Sequence, residues 1–199
     1  MEKDLTLKKE LHKKDRRIQE LEKLVTTDPL TGILNRRGFT ELAEKFLAEV
    51  SFHQKSPDQR SHFIIDSLSV MFFDIDNFKK INDTHGHEVG DKILQFVSSL
   101  IAEKLRASDF IGRWGGEEIV VALVGAQEKD AYQKAEEIRR AVKSRVKIPN
   151  APDLTITVSV GVAELKGDEG LEKLVKKADN AMYKAKTTGK DRVVKASAF

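Results

Sequence analysis

Arg113-Trp114-Gly115-Gly116-Glu117-Glu118-Ile119 lies between two apolar runs, Phe110-Ile111 before it and Ile119-Val120-Val121-Ala122-Leu123-Val124 after it. The second run is rich in the β-branched residues that strands favour. Two such runs around a pair of glycines predict a β-hairpin, with Gly115 and Gly116 supplying the positive φ angles of a two-residue turn. The same glycines leave the backbone open to a ligand beside two adjacent carboxylates, Glu117 and Glu118. A hairpin with a solvated acidic strand start would give the same local pattern, so a short motif needs support from elsewhere in the chain.

That support lies about forty residues upstream, where Val70-Met71-Phe72-Phe73-Asp74-Ile75-Asp76 reads as a buried strand ending in carboxylates. Buried carboxylates repel one another and have to be paired, protonated or bound to a cation. If the two strands pair, Asp74 and Glu118 converge on one edge and form an all-oxygen site. Hard Mg²⁺, or Mn²⁺, suits such ligands.

A chain of 199 residues accommodates one catalytic domain and an appendage. It contains no cysteine, which excludes disulfides and thiolate metal centres and fits a reducing, cytoplasmic setting. No apolar run approaches the ~20 residues of a membrane span, so no direct membrane contact is expected. With 35 basic and 32 acidic residues the net charge is +3, too balanced to indicate binding of a nucleic-acid polymer.

Residues 1–25 are dense in Lys and Glu and place Leu7, Leu11, Ile18, Leu21 and Val25 at heptad-like spacings. They predict a short, imperfect dimerising coiled-coil stalk, leaving 26–199 as the catalytic domain. Thr26-Thr27-Asp28-Pro29-Leu30-Thr31-Gly32 ends that helix and forms a hinge. Apolar periodicity predicts a helix over 39–50, and residues 51–62, polar and containing Pro57, read as a surface loop with His53 and His62 solvated. After Asp76 come a short polar helix, a glycine turn, and a helix with Val89, Ile93, Leu94, Val97, Leu100, Ile101 and Leu105 on one face, Asp91 falling in its first turn. A helix over 131–144, a strand over 155–163, a helix over 171–185 capped by Gly189 and an edge strand at 192–194 complete the chain. Strands separated by helices around one tight hairpin predict a single α/β sandwich with a mixed, largely antiparallel sheet.

Taken together, Asp28-Pro29-Leu30-Thr31-Gly32, Phe73-Asp74-Ile75-Asp76-Asn77-Phe78-Lys79-Lys80-Ile81-Asn82-Asp83, Gly86-His87-Glu88-Val89-Gly90-Asp91 and Gly115-Gly116-Glu117-Glu118-Ile119 resemble the GGDEF family of diguanylate cyclases, from about Thr26 to Lys195. The resemblance implies a fold like that of polymerase palm domains and class III nucleotidyl cyclases. It also implies condensation of two GTP molecules into cyclic di-GMP with release of two pyrophosphates, by a homodimer. Carried over residue by residue, it implies that Asp74, Glu118 and the Ile75 carbonyl hold Mg²⁺, with Glu117 a further metal ligand or a base near the attacking 3′-hydroxyl. Asn82 and Asp91 match the guanine readers. Lys79, Lys186 and Lys190 match positions that contact the triphosphate, Lys190 standing where many members carry arginine, and Phe78 matches a further substrate-binding position. Arg106 and Asp109 match the Arg-x-x-Asp site at which cyclic di-GMP inhibits its own synthesis, and Arg139 or Arg140 is the candidate for a second arginine there. Ile119 replaces the usual phenylalanine, His85 replaces a frequent aromatic residue, and the 51–66 segment is longer than is common.

Two other classes of function compete with an active cyclase. One is a catalytically silent receptor that binds cyclic di-GMP through Arg106 and Asp109, for which Asp74, Glu117, Glu118, Asn82 and Asp91 would not all be needed. The other is a coiled-coil interaction module carrying a structural α/β domain, which predicts no nucleotide binding.

Overall fold

A computed structural model of the chain describes residues 13–14, 17, 25–55, 67–146, 154–167 and 169–199. From Leu34 onward the strands and α-helices are, in chain order, β1 (Leu34–Asn35), α1 (Arg36–Lys55), β2 (Leu68–Ile75), α2 (Phe78–His85), α3 (His87–Glu103), β3 (Phe110–Arg113), β4 (Glu118–Val124), α4 (Glu128–Arg145), β5 (Val158–Glu164), α5 (Leu171–Thr187) and β6 (Val193–Lys195). They build one sheet in the order β1-β3-β4-β2-β5-β6. The three central pairings are antiparallel and the two outer ones, β1 with β3 and β5 with β6, are parallel. The mixed, largely antiparallel sandwich expected from the sequence is therefore present.

Strand β2 is buried along its whole length because it is central and covered on both faces. Its alternating side chains split between two cores. Leu68, Val70 and Phe72 join Val120, Ala122 and Phe110 under α1 and α5, through Phe39, Leu174 and Ala178. Met71, Phe73 and Ile75 join Ile119 and Val121 under α3 and α4, through Ile93, Val97 and Ile138. Helix α5 sits directly on β5 at Gly161, where a Cβ would meet the backbone of Ala181 at 2.9 Å, so only glycine permits this close approach.

Three expectations are corrected. Helix α1 runs on to Lys55, so Ser51–Lys55 are helical instead of loop; Pro57 is the first residue able to break the pattern. Asp91 is the fifth residue of α3, and the acid in its first turn is Glu88. The Gly115-Gly116 connection is wider than a two-residue turn: Trp114 N–H donates to the Glu118 carbonyl at 2.9 Å, and neither glycine has a positive φ. The predicted coiled coil lies outside the described residues except for Lys13, Lys14, Arg17 and Val25, all helical and exposed, and His62 lies outside them as well.

Candidate active site

The register of the two central strands places the acids. Antiparallel pairing sets Asp74 opposite Glu118, and both continue the alternation that points Phe72 and Val120 toward α1 and α5. The carboxylates therefore emerge on the same face, at the end of the strands. Helix α5 brings Lys186 to them, its Nζ 2.5 Å from Asp74 Oδ2 and 3.9 Å from Glu117 Oε1. The turn is locked to β2 by the Ile75 N–H, which donates to the Glu117 carbonyl at 3.4 Å.

Arg113 holds this turn from behind. Its guanidinium donates to the Gly115 carbonyl at 3.2 Å and to the Gly116 carbonyl at 2.8 Å, and pairs with Asp28 at 3.1 Å. Burial pushes the Asp28 carboxyl up, but two hydrogen bonds from Thr31 and the charge of Arg113 bring it net below its ordinary value. Thus the segment read from sequence only as a hinge also clamps the acidic turn. Asn35 secures its other end, capping α1 through Gly38 N–H at 2.9 Å and donating to the Val25 carbonyl at 2.7 Å.

The electrostatics of the carboxylates are unbalanced. Asp74 is 4 % exposed, its Oδ1 is buried without a hydrogen-bond partner, and burial pushes its carboxyl up to about 6 against the opposing pull of Lys186. Glu118 is raised too, first by burial and then by the charges of Asp179 and Glu117. Gly115 is required here for space: a Cβ on it would overlap the Glu118 carboxylate. Among the described residues no three metal-ligating side chains already enclose a cation position. Instead the Lys186 ammonium lies between Asp74 and Glu117, supplying the positive charge the acids need. An orphaned buried carboxylate oxygen in an oxygen-only donor set fits a hard divalent cation.

A groove of about 1280 Å³ between α1 and α5 is lined by Arg36, Trp114, Gly115, Glu118 and Asp179 among others, but not by Asp74, Glu117 or Lys186. Glu118 therefore borders this groove, while Asp74 and Glu117 lie outside its lining. Arg36 stacks over Trp114 at 4.5 Å from the ring centre and forms its wall.

On the far side of β2, Asn82 of α2 has its carboxamide oxygen buried without a partner and packed against Gly90, where a Cβ would meet the Asn82 Cγ at 2.9 Å. Asp91 is exposed on the next position of α3, as is Lys79 on α2, while Phe78 is buried. Lys190 donates from Nζ to Asn77 Oδ1 at 2.6 Å, which brings its loop against the β2–α2 turn.

Arg106 and Asp109 occupy the α3–β3 connection. Asp109 accepts from Arg106 N–H at 3.0 Å and from Val124 N–H at 3.2 Å, so its carboxylate also staples that loop to β4. Arg139 is not gathered with them. It pairs with Glu136 at 3.1 Å and with Asp191, and these bonds hold its guanidinium above its ordinary value, Glu136 contributing most. Arg140 is exposed and reaches Glu136 at 3.3 Å.

The chain is similar to known proteins in sequence and in fold. The family model "Diguanylate cyclase, GGDEF domain" matches residues 25–192. Diguanylate cyclase DosC of Escherichia coli (strain K12) is 37 % identical over 170 residues, covering 85 % of this chain and 35 % of that protein. The chain thus spans about a third of that curated relative's length. Among solved structures, the coiled coil and GGDEF domain of DgcB from Caulobacter crescentus in complex with c-di-GMP superposes with a TM-score of 0.83 at 29 % identity, covering 94 % of each chain. The isolated GGDEF domain of the same protein, also with c-di-GMP, gives 0.77 at 32 % identity, over 86 % of this chain and 96 % of that one. By sequence and by fold, this chain belongs to the GGDEF diguanylate cyclase domain family.

Proposed function

We propose that this domain condenses two GTP molecules into cyclic di-GMP, releasing two pyrophosphates, with Mg²⁺ or Mn²⁺ as cofactor and a second copy of the domain presenting the second GTP. The observation that carries the reading is the register pair Asp74–Glu118, with an unpartnered carboxylate oxygen on Asp74 and Lys186 paired with Asp74 and Glu117.

Asp74, Glu118 and the Ile75 carbonyl would hold the cation. Bound there, it neutralises charge building on the phosphates and lowers the pKa of the attacking 3′-hydroxyl. Glu117, at the exposed side of the pair, completes the cation's ligands or takes the hydroxyl proton. Lys186 pairs with the acids in the free protein and turns to the triphosphate when GTP arrives, its ammonium moving from one set of oxygens to another. Lys79 and Lys190 add charge on that side, and Phe78 anchors α2 beneath them. Asn82 and Asp91 accept from the N1–H and N2–H₂ donors of guanine. Adenine offers an acceptor at N1, so the same groups reject it. Since one domain holds one GTP, two copies have to face each other, and a coiled coil over 1–25 would raise their effective concentration. Arg106, exposed beside Asp109, would take a guanine of the product at an inhibitory site.

The reading is tested by incubating the protein with GTP and Mg²⁺, resolving the nucleotides by chromatography, and running Glu118→Ala in parallel. Cyclic di-GMP formation reduced by at least ~10² to 10³ in the variant is the expected result. A wild type that forms none, yet binds added cyclic di-GMP in a manner abolished by Arg106→Ala, would overturn it in favour of a receptor.

A further inference from the structure

Asp76 is a buried carboxylate that the proposed chemistry does not use. It stands where β2 ends, 3 % exposed, and three donors from two distant segments converge on it. Thr157 Oγ1 donates to Oδ2 at 2.7 Å, Ser159 Oγ to Oδ1 at 2.7 Å, and the backbone N–H of Asp191 to Oδ2 at 3.0 Å. Its own N–H donates to the Thr157 carbonyl at 2.9 Å. One side chain therefore joins the β2–α2 turn, the start of β5 and the loop from α5 to β6.

That loop holds an unusual backbone. Gly189, Lys190 and Asp191 have φ of 126°, 59° and 43° in succession, and non-glycine residues persist in the left-handed region only where their surroundings impose it. The constraints are visible: Lys190 N–H donates to the Ala185 carbonyl at 3.0 Å, Asp191 N–H to Asp76, and the Asp191 carboxylate accepts from Arg139 and, at 2.6 Å, from Lys143. Across from it Asn77, next to Asp76 and itself left-handed at φ 60°, accepts from Lys190 Nζ at 2.6 Å. Two strained loops thus meet at Asp76, and Lys190 projects from one onto the other.

We propose that Asp76 is a positioning residue for substrate phosphate binding: it fixes the 189–191 loop so that the Lys190 ammonium stands at the mouth of the β2–α2 turn. A carboxylate suits this place because it presents acceptors only, and all three incoming groups can donate. The assignment rests on the proposed GTP reading, in which Lys190 contacts the triphosphate.

The experiment compares two ligands in Mg²⁺, a non-hydrolysable GTP analogue and GMP, by calorimetric titration of wild type, Asp76→Asn, Lys190→Ala and the double variant. Asn preserves shape but turns an NH₂ group toward one of the donors. Asp76→Asn is expected to weaken the triphosphate analogue by about tenfold, the worth of one charge-assisted hydrogen bond, and GMP by less than about twofold. The double variant is expected to bind the analogue no more weakly than the worse single one, since both remove the same contact. Equal weakening of the two ligands, or additive losses, would overturn the proposal and leave Asp76 a structural staple. Thr157→Val deletes one donor and keeps the carboxylate; it serves if Asp76→Asn does not fold, and has to show the same selectivity at about threefold. If wild type binds the analogue and makes cyclic di-GMP while the variants fail these criteria, only the positioning role is lost. If wild type binds no analogue, the GTP reading itself falls and takes this role with it.

Discussion

Asp74 and Asp76 stand two residues apart at the end of one strand and live in opposite surroundings. Asp76 accepts from two hydroxyls and a backbone N–H. Asp74, as deeply buried, has one lysine, an orphaned oxygen, and two more carboxylates for neighbours. Folding satisfies the first and leaves the second with one oxygen unpartnered and a single ammonium shared among neighbouring acids. A carboxylate in such a state costs stability, and an unsatisfied buried acid is a candidate for completion by a ligand, as in the proposed cation site. The contrast is what the two proposals rest on, Asp76 in loop geometry and Asp74 in chemistry.

The sharpest way to break that division, short of removing an acid, is to displace one. Gly115→Ala would drive a methyl group into the Glu118 carboxylate. The obstacle is the end of a flexible side chain, and the backbone at Gly115 lacks a positive φ, so the fold tolerates alanine while the carboxylate moves. Cyclic di-GMP formation is expected to fall by about 10², as for a misplacement of ~1 Å at a reacting centre, with the thermal midpoint nearly unchanged. A variant of full activity would show that the position of Glu118 does not matter.

A second effect follows from protonation. The folded-state pKa of Asp74, about 6, lies above its ordinary 3.8. The folded chain therefore binds this proton more tightly than the unfolded one. The associated stability is present below pH ~4 and lost as pH rises through about 6, by up to roughly 3 kcal/mol. Glu118 is shifted in the same direction. Without divalent cations, wild type is expected to lose more stability between pH 5 and pH 7.5 than Asp74→Asn does. Added Mg²⁺ should raise the melting temperature of wild type more at pH 7.5 than at pH 5, because the carboxylates must be ionised to bind it. Scanning calorimetry at the two pH values checks both; a larger Mg²⁺ effect at pH 5 would contradict the site.

The sheet and the acidic edge were legible because their signals are local. Continuous apolar runs ending at Asp74 and beginning after Glu118 give the central strands, and one assumption of pairing brings the acids together. What the sequence hid depends on partners far apart in the chain. Asp76 meets Thr157, Ser159 and Asp191 across 81 to 115 positions, and Arg113 meets Asp28 across 85; no local periodicity encodes either. The glycine pair was legible as important but for the wrong reason. Turn statistics favour positive φ, whereas Gly115 is needed because a carboxylate lies against it. Arg139 is likewise singled out by its position alone, and spacing gives no sign that Glu136 and Asp191 are its partners in the folded chain.

The smallest expected effects sit on the Asp191 side of the contrast, where the bonds serve the loop. Arg139 and Lys143 both bind Asp191, but the Arg139 side chain is 15 % exposed and that of Lys143 51 %. An exposed lysine pair is screened and contributes ~0 to 1 kcal/mol, so Lys143→Ala should leave the urea midpoint almost unmoved. Arg139→Ala removes the less exposed partner of both Asp191 and Glu136, two carboxylates whose side chains are 22 % and 18 % exposed, leaving them to the exposed Lys143 and Arg140, and should cost about 2 kcal/mol. Even so, Asp76 still holds the Asp191 N–H in both variants, and the analogue-over-GMP preference should survive. Equal losses of stability would mean that Asp191 responds to the summed positive charge of α4 and not to the fixed fork of one guanidinium.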